Sequence, residues 1–447
     1  MYGLMGLACV LGVLVIRVKY QQRIEEGEVH LTPDFKEFQG TFMRVYLVAL
    51  LTEWLQSGYL FSVLREYHDE AQVVIMYLAG VMSQLAFAVV LEVAGGFIPM
   101  KFRCVACLML QAASAGMLLH PAFGGLVTSR FLGGLAAALL HSSFESWMVG
   151  QHVSQGFPLD WFTQTFNRLS VGMSFLAVAV GPITTMAHSL GGNMGPYKLS
   201  IVIVALNTTQ ILLTWRRDTN KACPKCADTA RLTSRAWTAV GSNRKMALVS
   251  SAQACFEATT FAFGLLWTPL LLDGVSDSPA PQSWLVELDW GIVFSQFMTC
   301  IMIGSFGYKL ATSTLKVTPE TMCLLACAGG STAFIILATE PSGTNVLAAL
   351  LGFEVCGGVY LNAMGVIRGK YVPQEVRGLV LGVSKLLVTT LLFTFLVYAS
   401  QMRVMASLLC AGLLGGAAIL VGLVKCNDSS SPPSGEDSEV LLTQQQV

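Results

Sequence analysis

Apolar runs of about twenty residues recur along nearly the whole chain, divided by short polar stretches. A helix rising about 1.5 Å per residue needs roughly that many apolar residues to cross the hydrocarbon of a bilayer. The pattern predicts spans at 2–18, 41–64, 72–96, 101–119, 125–150, 165–189, 197–215, 245–272, 288–308, 319–338, 343–367, 377–400 and 403–424. Within lipid each backbone N–H and C=O must be bonded inside the segment, so the expected class is an all-α polytopic membrane protein. The first run is set apart from the other twelve by a polar, charged stretch, 19–40. Arg17, Lys19 and Arg23 follow that run and no basic residue precedes it. This polarity suits an uncleaved anchor with its N-terminus outside better than a signal peptide.

Composition strengthens the picture. Of 447 residues, 54% are hydrophobic and 12% charged, about half the charged share of a soluble domain. Lysine and arginine number 27 against 27 acidic residues, which gives no electrostatic reason to expect a nucleic-acid partner. The basic residues are unevenly placed. Arg216, Arg217, Lys221, Lys225, Arg231, Arg235 and Arg244, with Lys245 adjoining, crowd the central loop, whereas the alternate loops carry Arg65, Lys198 and Arg403. Basic loops stay in the cytosol, so the central loop and the C-terminus are expected there. The expected organisation is an anchor helix and linker, 1–40; a six-helix bundle, 41–215; a basic cytosolic loop, 216–244; a second six-helix bundle, 245–424; and a disordered polar tail, 425–447.

Most cysteines lie in apolar segments and read as small packing residues. Cys223 and Cys226 form a CxxC in a polar loop, but a zinc site needs four ligands and no second pair is near, so no metal is expected. The chain has no phosphate-cradling glycine loop, HExxH or nucleophile elbow, and its loops are too short for a catalytic domain. Neither an enzyme, nor an ATP-driven pump, nor a cofactor is expected.

The two halves look like copies. Arg130-Phe-Leu-Gly-Gly134 and Glu354-Val-Cys-Gly-Gly358 each set an ionisable residue just before a glycine pair. Glu53 has a counterpart in Glu257, and Arg168 one in Lys385. Two six-helix repeats related by an axis along the membrane normal would place a substrate site between them near mid-membrane.

A six-plus-six layout with a basic middle loop resembles the major facilitator superfamily, and Arg130-Phe-Leu-Gly-Gly-Leu-Ala-Ala-Ala is similar to its fourth-helix motif. Gly172 through Gly181-Pro182 echoes the Gly…Gly-Pro pattern of the fifth helix. Within the superfamily the chain resembles the molybdate-anion transporter family. The likeness spans about 38–425 and is carried by Trp54-Leu-Gln-Ser-Gly-Tyr-Leu60, Phe144-Glu145-Ser-Trp147, Gln253-Ala-Cys-Phe-Glu257 and Leu266-Trp-Thr-Pro269. The resemblance implies a major facilitator fold with one extra N-terminal transmembrane helix, and molybdate uptake by alternating access. One departure is that residues 95–103, Gly-Gly-Phe-Ile-Pro-Met-Lys-Phe-Arg, keep Lys101 and Arg103 but lack the Asp usual in that loop.

Ionisable groups at membrane depth cost at least about 2.5–3.5 kcal/mol, so each needs a partner, a cavity or a task. Arg130 is the first candidate for an oxyanion, because a guanidinium keeps its charge and offers donors in a fork. An ion pair with Glu53 is the plainer alternative. Lys385 is the other mid-depth cation, with snorkelling to an interface as its alternative. Glu53, Glu257 and Glu354 complete the candidate site, and Glu53 or Glu257 is a candidate proton carrier. Glu145 and Arg168 are candidates for a cytosolic gate pair, with interfacial anchoring as the alternative. His141 and Glu145 share a helix face with Arg130, as a relay or as a plainly satisfied histidine. Trp54, Tyr59, Trp147, Trp267 and Tyr360 are aromatic candidates for a cavity wall.

Asp437-Ser-Glu-Val-Leu441-Leu442 in the tail has the form of an acidic dileucine signal for a sorting adaptor. It would add endosomes to an expected plasma-membrane location. The expected partners are therefore molybdate or a related oxyanion, protons, the lipid bilayer and that adaptor. A carrier of another oxyanion or an organic solute, and a non-transporting receptor or scaffold with the same fold, remain alternatives.

Overall fold

The computed structural model describes residues 32–94, 98–158, 161–215, 243–276, 289–339, 342–372, 374–398 and 403–429. Twelve long helices run through them: α1 Pro33–Ser57, α2 Glu70–Ala94, α3 Met100–Met117, α4 Phe123–Ser154, α5 Trp161–Gly191, α6 Gly195–Thr214, α7 Arg244–Ser276, α8 Trp290–Thr314, α9 Pro319–Thr339, α10 Gly343–Tyr371, α11 Gln374–Tyr398 and α12 Arg403–Ser429. The expected anchor at 2–18, nearly all of the central loop with Cys223 and Cys226, and the Asp437, Leu441 and Leu442 signal lie outside the described residues.

The helices follow the apolar runs, with informative differences. α1 starts at Pro33, well before its run, because the Thr32 hydroxyl caps the Phe35 amide and Pro33 and Asp34 fill the first turn; a hydropathy count is blind to such a signal. It stops at Gly58, and a short helix, Leu60–Arg65, continues the run. By length and apolarity eight stretches among the described residues qualify to cross a membrane, one of them covering most of α5 together with α6. α1, α3 and α11 fall short of that test: charged side chains lower the apolarity of the first two, Asp34, Lys36, Glu37, Arg44 and Glu53 on one and Lys101 and Arg103 on the other, and the apolar stretch of α11, Val380–Thr394, is short. Leu190, Leu213 and Leu391 are among the large apolar side chains left exposed, as a lipid-facing surface requires.

Packing repeats with a period of six helices. α1 lies against α5 and α6, α2 against α4, and α3 against α4 and α6. Correspondingly, α7 lies against α11 and α12, α8 against α10, and α9 against α10 and α12. The two six-helix bundles meet chiefly along two seams, α5 with α8 and α2 with α11, which the same shift exchanges. The glycine pairs explain the tightest crossings. A Cβ on Gly134 would collide with the Gly80 carbonyl of α2, and one on Gly358 with the Ile301 carbonyl of α8. Small residues there let two backbones touch, the usual basis of close helix association in lipid.

Candidate functional site

Two linked cavities lie between the bundles. The smaller, about 220 Å³, is lined by α1, α2, α3 and α4 with one side of α7, and holds Glu53, Gln84, Gln111 and Arg130. The larger, about 930 Å³, is lined by α2, α4, α7, α8, α10 and α11, and holds His141, Glu257, Glu354, Arg368 and Lys385. Gln84, Thr260 and Phe261 belong to both walls, so the small chamber adjoins the large one at mid-helix. From there the large cavity reaches Arg368, in the last turn of α10.

Arg130 sits in the chamber with no ion pair or hydrogen bond to its guanidinium among the described residues, and its buried Nε is unpartnered. The tight α2–α4 crossing fixes the turn that carries it, and Gly133 in the next turn lies against α3, where a Cβ would meet Ser114 Oγ at 3.0 Å. The Glu53 pairing open at the sequence level is not formed; Glu53 instead faces His141, Oε1 to Nε2 3.8 Å, a loose contact with half of the imidazole exposed. The second Glu53 oxygen is buried without a partner.

Lys385 behaves differently. Its Nζ lies 2.5 Å from Glu257 Oε2, and Glu257 Oε1 accepts from Gln253 Nε2 at 2.5 Å. Each charged member of this pair is about a quarter exposed, 23%. Glu354, 7% exposed, lines the same cavity one face away. It makes no ion pair or side-chain hydrogen bond among the described residues. The structure thus gathers all five candidate substrate residues around one continuous space, three carboxylates and two cations, with one cation neutralised and one free.

The gate candidates do not meet. Arg168 donates to Gln39 Oε1 of α1 at 2.6 Å, while Gln39 Nε2 donates to Thr165 Oγ1. No ion pair joins Arg168 to Glu145 among the described residues. Of the aromatic candidates, Tyr360 reaches the cavity wall, stacked on Phe256 with centroids 3.6 Å apart. Trp147 stacks on Trp215, Trp267 packs edge-on against Phe297, Tyr59 stacks on His188, and Trp54 packs beside Ala177 and Met302. Sequence reasoning missed Arg368. Glu354, Gly357, Leu361 and Arg368 follow at steps of three, four and seven residues, one face of a helix, and that spacing was the available signal.

The two ends of the assembly are bonded differently. Where α2 and α12 begin and α7 ends, Arg403 bridges Glu70, Nη2 to Oε2 3.2 Å, to Asp273, and donates to the Pro269 carbonyl at 2.9 Å. Nearby, Asp289 caps α8 and accepts from Thr185 of α5 at 2.7 Å. Both contacts cross between bundles. At the opposite end the corresponding bonds stay within a bundle: Lys101 to the Trp215 carbonyl, 2.5 Å, and Lys370 to Glu320, 3.4 Å. The cavity therefore lies in the half of the molecule away from the Arg403 clasp.

A family model described as sugar transporters with twelve transmembrane segments matches residues 1–355. The chain is 30% identical over 410 residues to a molybdate-anion transporter of Danio rerio, spanning 85% of this chain and 82% of that protein. To the molybdate-anion transporter of Xenopus tropicalis it is 29% identical over 387 residues, 84% of this chain and 81% of that one. Among solved structures, a POT family transporter in complex with a thioalcohol-conjugated peptide superposes with a TM-score of 0.66 at 11% identity, over 87% of this chain and 96% of that one. At that identity the last likeness speaks for the fold alone.

Proposed function

Because the chain belongs to the major facilitator superfamily and to its molybdate-anion transporter family, we propose that it is a secondary carrier that takes up molybdate by alternating access. It is a transporter and not an enzyme. The observation that carries the choice of an anion over a neutral sugar is the unpartnered guanidinium of Arg130 in the small chamber between the bundles. A charge held there without a counter-ion is costly, and a bound oxyanion offsets that cost while filling the donor fork. Gln84 and Gln111 line the same chamber as further donors.

With the basic loops in the cytosol, the Arg403 clasp is an outer closure and the large cavity faces inward. Opening the clasp and closing the cavity along the α2–α11 and α5–α8 seams would expose the chamber to the other side. Proton coupling fits the Lys385–Glu257 pair. A proton on Glu257 loosens its hold on Lys385, which then supplements Arg130 in attracting the anion. Glu354, in the same cavity, and Glu53, in the adjoining chamber, are the other carboxyl candidates to take up that proton. The protein is an integral membrane protein; the plasma membrane, with the N-terminus outside and the C-terminus cytosolic, suits uptake, and the tail signal would allow retrieval to endosomes.

The test is uptake of nanomolar molybdate in cells carrying the wild type or Arg130→Ala at matched surface expression, with sulfate as competitor. Loss of one guanidinium clamp should cost about 3 kcal/mol, roughly a hundredfold in uptake efficiency. Equal uptake by the two would remove Arg130 from the site, and no uptake by a correctly inserted wild type would remove molybdate.

A further inference from the structure

Arg368 stands in the last turn of α10 and lines the large cavity. Lys370, in the same turn, points elsewhere, to Glu320 and over the Tyr371 ring. That side chain already supplies the cation that a helix C-terminus favours. The Arg368 guanidinium makes no hydrogen bond or ion pair among the described residues. Glu354, on the same helix face, is about 21 Å away along the axis, fourteen residues at about 1.5 Å each, and out of reach. Glu257 is held by Lys385 and Gln253. Two turns before Arg368 on the same wall, the buried Tyr360 hydroxyl also has no partner among the described residues. The cavity that both residues line, about 930 Å³, is far larger than the Arg130 chamber.

We infer that the large cavity contains a second anion-binding position, organised by Arg368, which takes a tetrahedral oxyanion between the Arg130 chamber and the aqueous side. It rests on the chamber being an oxyanion site. A lone guanidinium in a tight chamber binds its anion well and releases it slowly. A second cation further along lowers the climb out, for the same reason that permeation paths favour several modest sites over one strong one. While Glu257 is ionised it holds Lys385, which leaves that task to Arg368.

The experiment is a sodium molybdate titration of the purified full-length protein in detergent by calorimetry, with release from preloaded protein timed after dilution into sulfate. The wild type should show two binding steps. Arg368→Gln should lose the weaker step, keep the tighter one and release about tenfold more slowly; Arg368→Lys should recover much of both. Arg130→Gln should lose the tighter step and keep the weaker. A single step in the wild type, abolished by Arg130→Gln and untouched by Arg368→Gln, would overturn the second position while leaving the chamber standing. No binding by the folded wild type would overturn both.

Discussion

Arg130 and Glu354 occupy equivalent places in the two bundles, each four residues before the glycine at which a fourth helix crosses a second. The backbones there are near copies, since Gly134 on Gly80 and Gly358 on Ile301 leave no room for a Cβ in either bundle. The charges are opposite. The N-terminal bundle presents a cation with no partner, whereas the C-terminal bundle presents a buried carboxyl and keeps its own cation, Lys385, clasped by Glu257. The two bundles share the scaffold and divide the chemistry. At the level of these crossings the N-terminal bundle, with its free charge, is suited to bind and the C-terminal bundle, with its paired charge, to regulate; the C-terminal bundle's own free cation, Arg368, lies further along, in the last turn of α10.

The shared scaffold can be tested first, where the largest effect is expected. Gly134→Ala and Gly358→Ala each force a methyl group against a backbone carbonyl. Both should destabilise by about 3 kcal/mol, the upper range for overpacking, seen as lower melting temperatures in detergent. If one variant melts like the wild type, the two crossings are not equivalent.

The divided chemistry gives a smaller effect. Lys385→Gln leaves Glu257 with Gln253 alone in a partly hydrated cavity and should cost about 2 kcal/mol, less than a fully buried pair because water reaches it. Adding Glu257→Gln should restore most of the melting temperature. If uptake is coupled to protons as proposed, acidifying the outer medium should raise uptake by the wild type and not by the Glu257→Gln protein, because its amide cannot take up the proton. A double variant no more stable than Lys385→Gln would deny the pairing its role.

The smallest effect belongs to Glu53. Its contact with His141 is a loose 3.8 Å, with the imidazole half exposed and the carboxylate a quarter exposed, so Glu53→Gln should change stability by less than about 0.5 kcal/mol. Its pH profile of uptake should match the wild type if Glu257 carries the proton. A flat profile in Glu53→Gln would move that role to the N-terminal bundle.

The helices were legible because apolarity and length are written locally, and the repeat because glycine pairs mark where backbones meet. The partners of the charges were not. An ion pair between Glu53 and Arg130 was open from the sequence, yet the rotation of α1 about its axis turns Glu53 to His141, and position along a span carries no information about rotation. Glu257 and Lys385 were each singled out, but their contact joins α7 to α11, a tertiary fact with no sequence spacing behind it. Arg168 was matched with Glu145 from adjacent helix ends, while the nearer acceptor was Gln39, on a stretch of α1 that hydropathy had assigned to a linker. Arg368 escaped because a basic residue at a cytosolic helix end is expected for topology alone, which hid its place on the face of Glu354.

The Arg403 clasp bears on tempo. One guanidinium held by two carboxylates and a carbonyl must be dismantled whenever the empty carrier turns to collect new cargo, and nothing bound in the chamber helps at that moment. In the proposed uptake cycle the return journey, rather than the loaded one, would then set the pace, as product release does in many enzymes. Since the clasp is ionic and only partly covered, mobile ions weaken it. The saltiness of the far compartment would act as a throttle on how often the protein is ready.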